Sequence, residues 1–289
     1  MRVLVTGAKG QLGQDLIVHI EKYPWAIYGL GKAELDITNV EQVSKVITGF
    51  NPDVIIHTAA YTKVDQAEKD RDDAFRVNGE GTKNIAKAAA SIGAKFCYIS
   101  TDYVFDGENK IPYSTEDKPN PQTVYGESKL AGEKYTKQYC EKYFIVRTSW
   151  VFGLYGNNFV KTMLRLAKEK DEIGVVHDQT GSPTYTADLA KFLIELVQSE
   201  KYGTYHASNS GQCTWYEFAK EIFKQAGLDT KVIALTTDQF PRPANRPKYS
   251  VMANSTIENN GFQILPHWKE STQLFIEVLK EKEKVFYKG

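Results

Sequence analysis

Tyr125 and Lys129 stand four residues apart in the segment Tyr125-Gly126-Glu127-Ser128-Lys129. On a helix that spacing puts both side chains on one face, one turn apart. A phenol, whose ordinary pKa is about 10, becomes a usable general acid/base near neutral pH when an ammonium beside it favours the phenolate. Thr101 follows the apolar run 96–99 and adds a hydroxyl able to bond the same substrate oxygen. A second constellation lies at the start of the chain, in Thr6-Gly7-Ala8-Lys9-Gly10-Gln11-Leu12-Gly13. Its glycines are spaced G-x-x-G-x-x-G. They let backbone N–H groups approach a phosphate, and the helix that follows aims its positive end at the same point. This predicts a pyrophosphate-binding turn between a strand and a helix.

The elements that must position these groups alternate along the chain. Apolar, β-branched runs at 2–5, 26–30, 54–58, 95–100 and 144–148 read as strands. Helical spacing appears between them at 11–22, 39–49, 74–91 and 122–139. Such alternation predicts an α/β fold with a parallel sheet covered by helices on both faces. Ligands in such sheets bind at the carboxyl ends of the strands. Those ends carry the glycine turn, Thr58-Ala59-Ala60-Tyr61-Thr62, Ser100-Thr101-Asp102-Tyr103 and Ser149-Trp150-Val151. After Thr148 the rhythm loosens: helices at 158–170, 187–199, 214–226 and 268–286, short strands at 173–176 and 204–207, and a proline-punctuated loop at 240–247. The division expected is 1–150 for the dinucleotide-binding domain and 151–289 for a smaller, interleaved substrate-binding lobe.

Lys+Arg and Asp+Glu number 36 each, so nothing pulls the whole molecule toward nucleic acid or an anionic membrane. No apolar stretch reaches the length of a bilayer span, and the N-terminus lacks the pattern of a signal peptide. Cys97, Cys140 and Cys213 are widely spaced and read as reduced thiols. Together these features predict a cytoplasmic protein. The five histidines show no metal-ligand spacing, and His57, inside a strand, reads as a satisfied buried residue.

The segments 7–13, 51–55, 59–65, 100–105, 124–133, 147–152, 156–159 and 178–184 together resemble the extended short-chain dehydrogenase/reductases, and among them the dTDP-4-dehydrorhamnose reductases. Asp102-Tyr103-Val104-Phe105 and Arg147-Thr148-Ser149-Trp150-Val151 carry more of the resemblance than the glycines do. The resemblance implies a Rossmann-like doubly wound sheet and an oxidoreductase of dTDP-rhamnose and polysaccharide synthesis. Its reaction would reduce the C4 keto group of a dTDP-linked keto-deoxysugar. It also implies a catalytic triad of Thr101, Tyr125 and Lys129. Tyr125 would protonate the C4 oxygen, and Lys129 would hold the nicotinamide ribose and lower the Tyr125 pKa. Gly7, Gly10, Gln11 and Leu12 would hold the cofactor pyrophosphate, Asp36 and Ile37 would flank the adenine, and Ala60, Tyr61 and Thr62 would lie under the ribose and phosphates. Asp102, Trp150 and Arg242 would join Thr101 and Tyr125 as substrate contacts.

Strand 26–30 is followed by Gly31 and Lys32 with no acid for the ribose hydroxyls, so NADPH is expected, with NADH as the alternative. Some relatives of this kind form homodimers through acids that hold Mg²⁺. Asp15 lies where such an acid would, but Ala187-Asp188 departs from the glutamate expected later, and no metal site is assigned. Two other readings remain open: a nucleotide-sugar epimerase or dehydratase with tightly held NAD, and a non-catalytic regulatory subunit. The first lacks the adjacent Asp-Glu pair that a dehydratase usually carries after the threonine. The second has no need of Thr101, Tyr125 and Lys129.

Overall fold

The computed structural model describes residues 1–286, with side chains through 282. β1 (Arg2–Thr6) is buried from Val3 onward, as a strand covered on both faces must be. It leads into α1 (Gln11–Ile20), β2 (Ala26–Leu30), α2 (Val40–Phe50) and β3 (Val54–His57). α2 starts at Asn39, whose side chain accepts from the Gln42 N–H, and ends at a left-handed Asn51. β4 (Lys95–Thr101) and β5 (Tyr143–Thr148) extend the sheet, and the strand Gly203–His206 joins it beside β5. Across the sheet the order is β2, β1, β3, β4, β5, then Gly203–His206, and every pairing is parallel. The chain runs outward from β1 to β2 and returns on the other side to β3. The crevice of such a sheet therefore opens between the carboxyl ends of β1 and β3.

α1 and the helix Thr186–Gln198 cover one face, packing Leu16 and Leu193 against Val5 and Val146. α2 and the helix Thr82–Ser91 cover the other, with Ile47 and Ile85 against Leu4 and Phe96, beside the helix Val124–Tyr139. A separate core lies outside the sheet. There the helices Phe159–Ala167, Trp215–Ala226 and Trp268–Phe286 enclose Phe152, Ile173, Phe218 and Phe275 around the parallel pair Glu172–Val176 and Lys231–Leu235. The Trp215–Ala226 helix carries a reciprocal Thr214/Glu217 capping box and a left-handed Gly227 after its end, both readable in the sequence.

One helix differs from its expected form. The segment 74–91 is not continuous α-helix: Arg71–Phe75 passes into a π-turn at Arg76–Gly81 before Thr82–Ser91 resumes. The wider turn carries Asn78, which accepts from the Tyr61 N–H at 2.8 Å and donates to the Tyr61 carbonyl at 3.0 Å and to Ser128 Oγ at 2.9 Å. Three bonds to two other segments outweigh the regular ladder at that turn, as is common for π-bulges near functional sites.

The Val124–Tyr139 helix is held to the sheet by charge. Glu133 and Arg147, each with its side chain 2% exposed, form a two-pronged pair at 2.8 and 2.7 Å. Ser100 donates to the same carboxylate at 2.6 Å, and the guanidinium also lies 3.3 Å from the His206 ring. Removing one member of such a pair strands a buried charge. Arg147→Met should therefore lower the unfolding free energy by about 3–5 kcal/mol in urea melts; a loss below about 1 kcal/mol would show that the helix is held by packing alone.

Candidate active site

A cleft of about 770 Å³ opens at the carboxyl ends of β1, β3, β4 and β5. Gly7, Gly10, Gln11, Leu12, Asp36, Ile37, Ala60, Tyr61, Thr62, Thr101, Asp102, Tyr125, Lys129 and Trp150 all line it. Arg242 does not: it lies half-exposed with its guanidinium 3.3 Å from Asp65, which also holds Arg246 at 2.9 Å.

At the β1 end, Gly7 has φ +67°, and a Cβ there would sit 2.6 Å from the Ala59 nitrogen. The turn thus presses backbone to backbone on the segment after β3, which only glycine permits. α1 starts at Gly10 without a side-chain cap, which leaves its first N–H groups free to receive an anion. A cleft of this size with an uncapped helix start fits a dinucleotide and its pyrophosphate. The Gln11 amide donates to the Val151 carbonyl at 3.2 Å and accepts from Asn158 at 2.8 Å, tying the glycine turn to the segment after Trp150. Asp36 is spent on its own turn, accepting from the Thr38 N–H and hydroxyl, and those bonds lower its pKa. The Tyr61 phenol donates to Asp70 at 2.9 Å, so its ring stands beside the cleft with its hydroxyl turned away.

No acid ends β2, but one lies nearby outside the cleft lining. Glu34 accepts from the Gly31 N–H at 3.0 Å and pairs with Lys9. It comes four residues after the strand and is brought back by a turn in which the Leu35 N–H bonds the Gly31 carbonyl. Lys32 and Lys9 both line the cleft beside it.

Tyr125 and Lys129 share a helix face as their spacing requires, but their electrostatics differ from expectation. Lys129 donates to the Ile99 carbonyl at 2.7 Å and lies 4.2 Å from the Tyr98 ring centre. Burial lowers its pKa to about 7, with Glu133 one turn on working against the fall. Burial also pushes Tyr125 up to about 12, and the Thr101 hydroxyl pulls it back in part. Desolvation favours the neutral phenol, the form able to give up a proton.

Asp102 is buried beside them. Its Oδ1 accepts from Thr101 at 3.0 Å, and the Ser250 hydroxyl beside it works against the rise in its pKa. Burial raises its pKa to about 6. Trp150 adopts a left-handed backbone, φ +47°, at a cost of about 1–3 kcal/mol for a bulky residue. Its indole stacks on Trp215 with ring centres 3.6 Å apart. Strain held against the cleft by packing is a mark of a functional position.

The family model described as RmlD substrate binding domain matches residues 1–281. A dTDP-4-dehydrorhamnose reductase of Aggregatibacter actinomycetemcomitans is 43% identical over 279 residues, 92% of this chain and 94% of that protein. This chain belongs to the dTDP-4-dehydrorhamnose reductase family. The spore coat polysaccharide biosynthesis protein SpsK of Bacillus subtilis is 42% identical over 276 residues, covering 96% of this chain and 97% of that one. A dTDP-4-dehydrorhamnose reductase from Bacillus anthracis, solved in complex with NADP, superposes with a TM-score of 0.93 at 50% identity, covering 95% of this chain and 98% of its own.

The two acids weighed for Mg²⁺ are both engaged within this chain. Asp15 is buried and takes the Thr186 hydroxyl, and burial raises its pKa. Asp188 is spent on Asn209 and Ser271. Among the described residues no cluster of three His, Cys, Asp or Glu is placed to hold a metal, and no helix is long and apolar enough to cross a membrane.

The Asp102 shift gives the reductase a stability signature. A carboxyl whose folded pKa is raised stabilises the fold fully below the unfolded value of 3.8, and that contribution is lost as pH rises through about 6. Relative to Asp102→Asn, the wild type should lose about 3 kcal/mol between pH 4 and pH 7 and then stay level. Chemical denaturation of both proteins across that range measures it, and a pH-independent difference would show that Asp102 is charged when buried.

Proposed function

We propose that this chain reduces the C4 keto group of dTDP-4-dehydro-6-deoxy-L-mannose with NADPH to give dTDP-L-rhamnose for cell-surface polysaccharide synthesis. The observation that carries the reading is a single cleft lined by Thr101, Tyr125 and Lys129 together with the glycine turn Gly7, Gly10, Gln11 and Leu12. NADPH, when bound, supplies the hydride. Tyr125 gives its proton to the C4 oxygen as that oxygen gains charge, and Thr101, which lowers the phenol's pKa, helps to orient the oxygen. Lys129 holds the nicotinamide ribose and favours the phenolate left behind. Asp102, buried at the cleft, accepts from a sugar hydroxyl, and the free edge of the Trp150 indole meets the sugar.

NADPH is supported by the NADP complex of the Bacillus anthracis relative and by the two lysines at the cleft edge. Glu34 nearby is spent on the Gly31 N–H and Lys9, so NADPH is preferred and NADH is the alternative. Three buried thiols with no disulfide agree with work in the cytoplasm.

NADPH oxidation should proceed with the dTDP keto sugar and be far slower with its GDP- and UDP-linked analogues; the reverse order would overturn the named substrate. Tyr125→Phe should lower kcat by about 10²–10⁴ while the NADPH Kd, read by fluorescence, stays put. Lys32→Ala should weaken NADPH binding by about tenfold and leave NADH unchanged, since a charge-assisted contact to the 2′-phosphate is lost. Equal losses for both cofactors would assign Lys32 to something else.

A further inference from the structure

Trp150 faces the cleft, yet the parts that hold it lie outside the cleft. Its indole is covered on one face by Trp215, nearly parallel at 9° with ring centres 3.6 Å apart. On the other face lies the Gly181 backbone. A Cβ at Gly181 would stand 2.5 Å from Trp150 Cε2 and 2.7 Å from both Cζ2 and Nε1. Near-equal distances to three adjoining ring atoms put that point over the ring plane, not at its edge. The two jaws are joined to each other. Cys213 and Thr214 pair antiparallel with Gly181 and Thr180, and Trp215 follows at once as the first residue of a helix fixed by the Thr214/Glu217 capping box. Phe159 backs the Trp215 ring at 4.6 Å. The clamp closes on a residue whose φ of +47° is not a resting conformation for tryptophan. Trp215 itself does not line the cleft, and neither does Gly181.

We propose that Trp215 and Gly181 are positioning residues for the sugar: they hold Trp150 in its left-handed conformation, cover both faces of its indole and so set the edge that meets the hexose. The proposal rests on the reading of Trp150 as a sugar contact. It explains why two elements of the outer lobe are tied together at this point. It also explains why position 181 has no side chain, since any Cβ there would push the indole out of its stack.

Steady-state kinetics with the dTDP keto sugar, together with NADPH Kd by fluorescence, tests this on the full chain. Trp215→Leu and Gly181→Ala should each raise KM for the sugar by about tenfold, with kcat within about twofold and NADPH Kd unchanged. Trp215→Phe, which keeps an aromatic face under the indole, should restore most of the affinity. Parallel loss of KM, kcat and NADPH binding in Trp215→Leu, with no rescue by Phe, would make the residue merely structural and overturn the proposal. So would an unchanged KM in both variants while Trp150→Leu raises it. If Trp150→Leu itself leaves KM unchanged, the reading of Trp150 as a sugar contact fails, and the clamp loses its purpose with it.

Discussion

The helix that carries Tyr125 and Lys129 depends on one buried ion pair. Glu133 lies one turn beyond Lys129 and two beyond Tyr125, so its grip on Arg147 fixes the azimuth of all three side chains against the sheet. The same carboxylate takes the Ser100 hydroxyl, next to Thr101, and Arg147 reaches His206 on the last strand. His206 in turn bonds the Tyr113 carbonyl and is held neutral by burial beside the guanidinium. A helix packed through alanines alone could slide or rotate by fractions of a turn. A two-pronged pair in a dry interior cannot, because any displacement strands two charges.

The chemistry of the site follows from that dryness. Burial favours the neutral form of both the Tyr125 phenol and the Lys129 amine. A carboxyl that is usually a permanent anion is poised near neutrality as well. Each of these departures has burial as its largest cause. The pyrophosphate end of the cleft is the opposite case. It is open, built from backbone N–H groups and edged by exposed lysines, so it selects by geometry and charge more than by desolvation.

The sequence revealed what is local. Tyr125 and Lys129 were legible because helical spacing alone puts them together, and the glycine turn because three glycines between a strand and a helix admit few other conformations. The Thr214 capping box was legible for the same reason. What depends on distant partners was not. The π-turn exists because Asn78 is pulled toward Tyr61 and Ser128. The sign of the Tyr125 shift depends on how deeply the site is buried, and Lys129 spends a bond on Ile99 that no spacing announces. Arg242 lies against Asp65, outside the cleft, because the loop carrying it folds back across 177 residues of sequence.

The strand Gly203–His206 closes the sheet beside β5, more than fifty residues after β5 has formed. During synthesis the first 150 residues therefore emerge with the inner strand of the finished molecule still an outer one. Its hydrogen-bonding groups are unpaired and its apolar side chains, Phe144 and Val146, wait for the Thr186–Gln198 helix. An uncovered edge of that kind pairs readily with other chains. The half that carries Tyr125 and Lys129 thus gains a strand partner for β5 and part of its cover only from residues beyond 185.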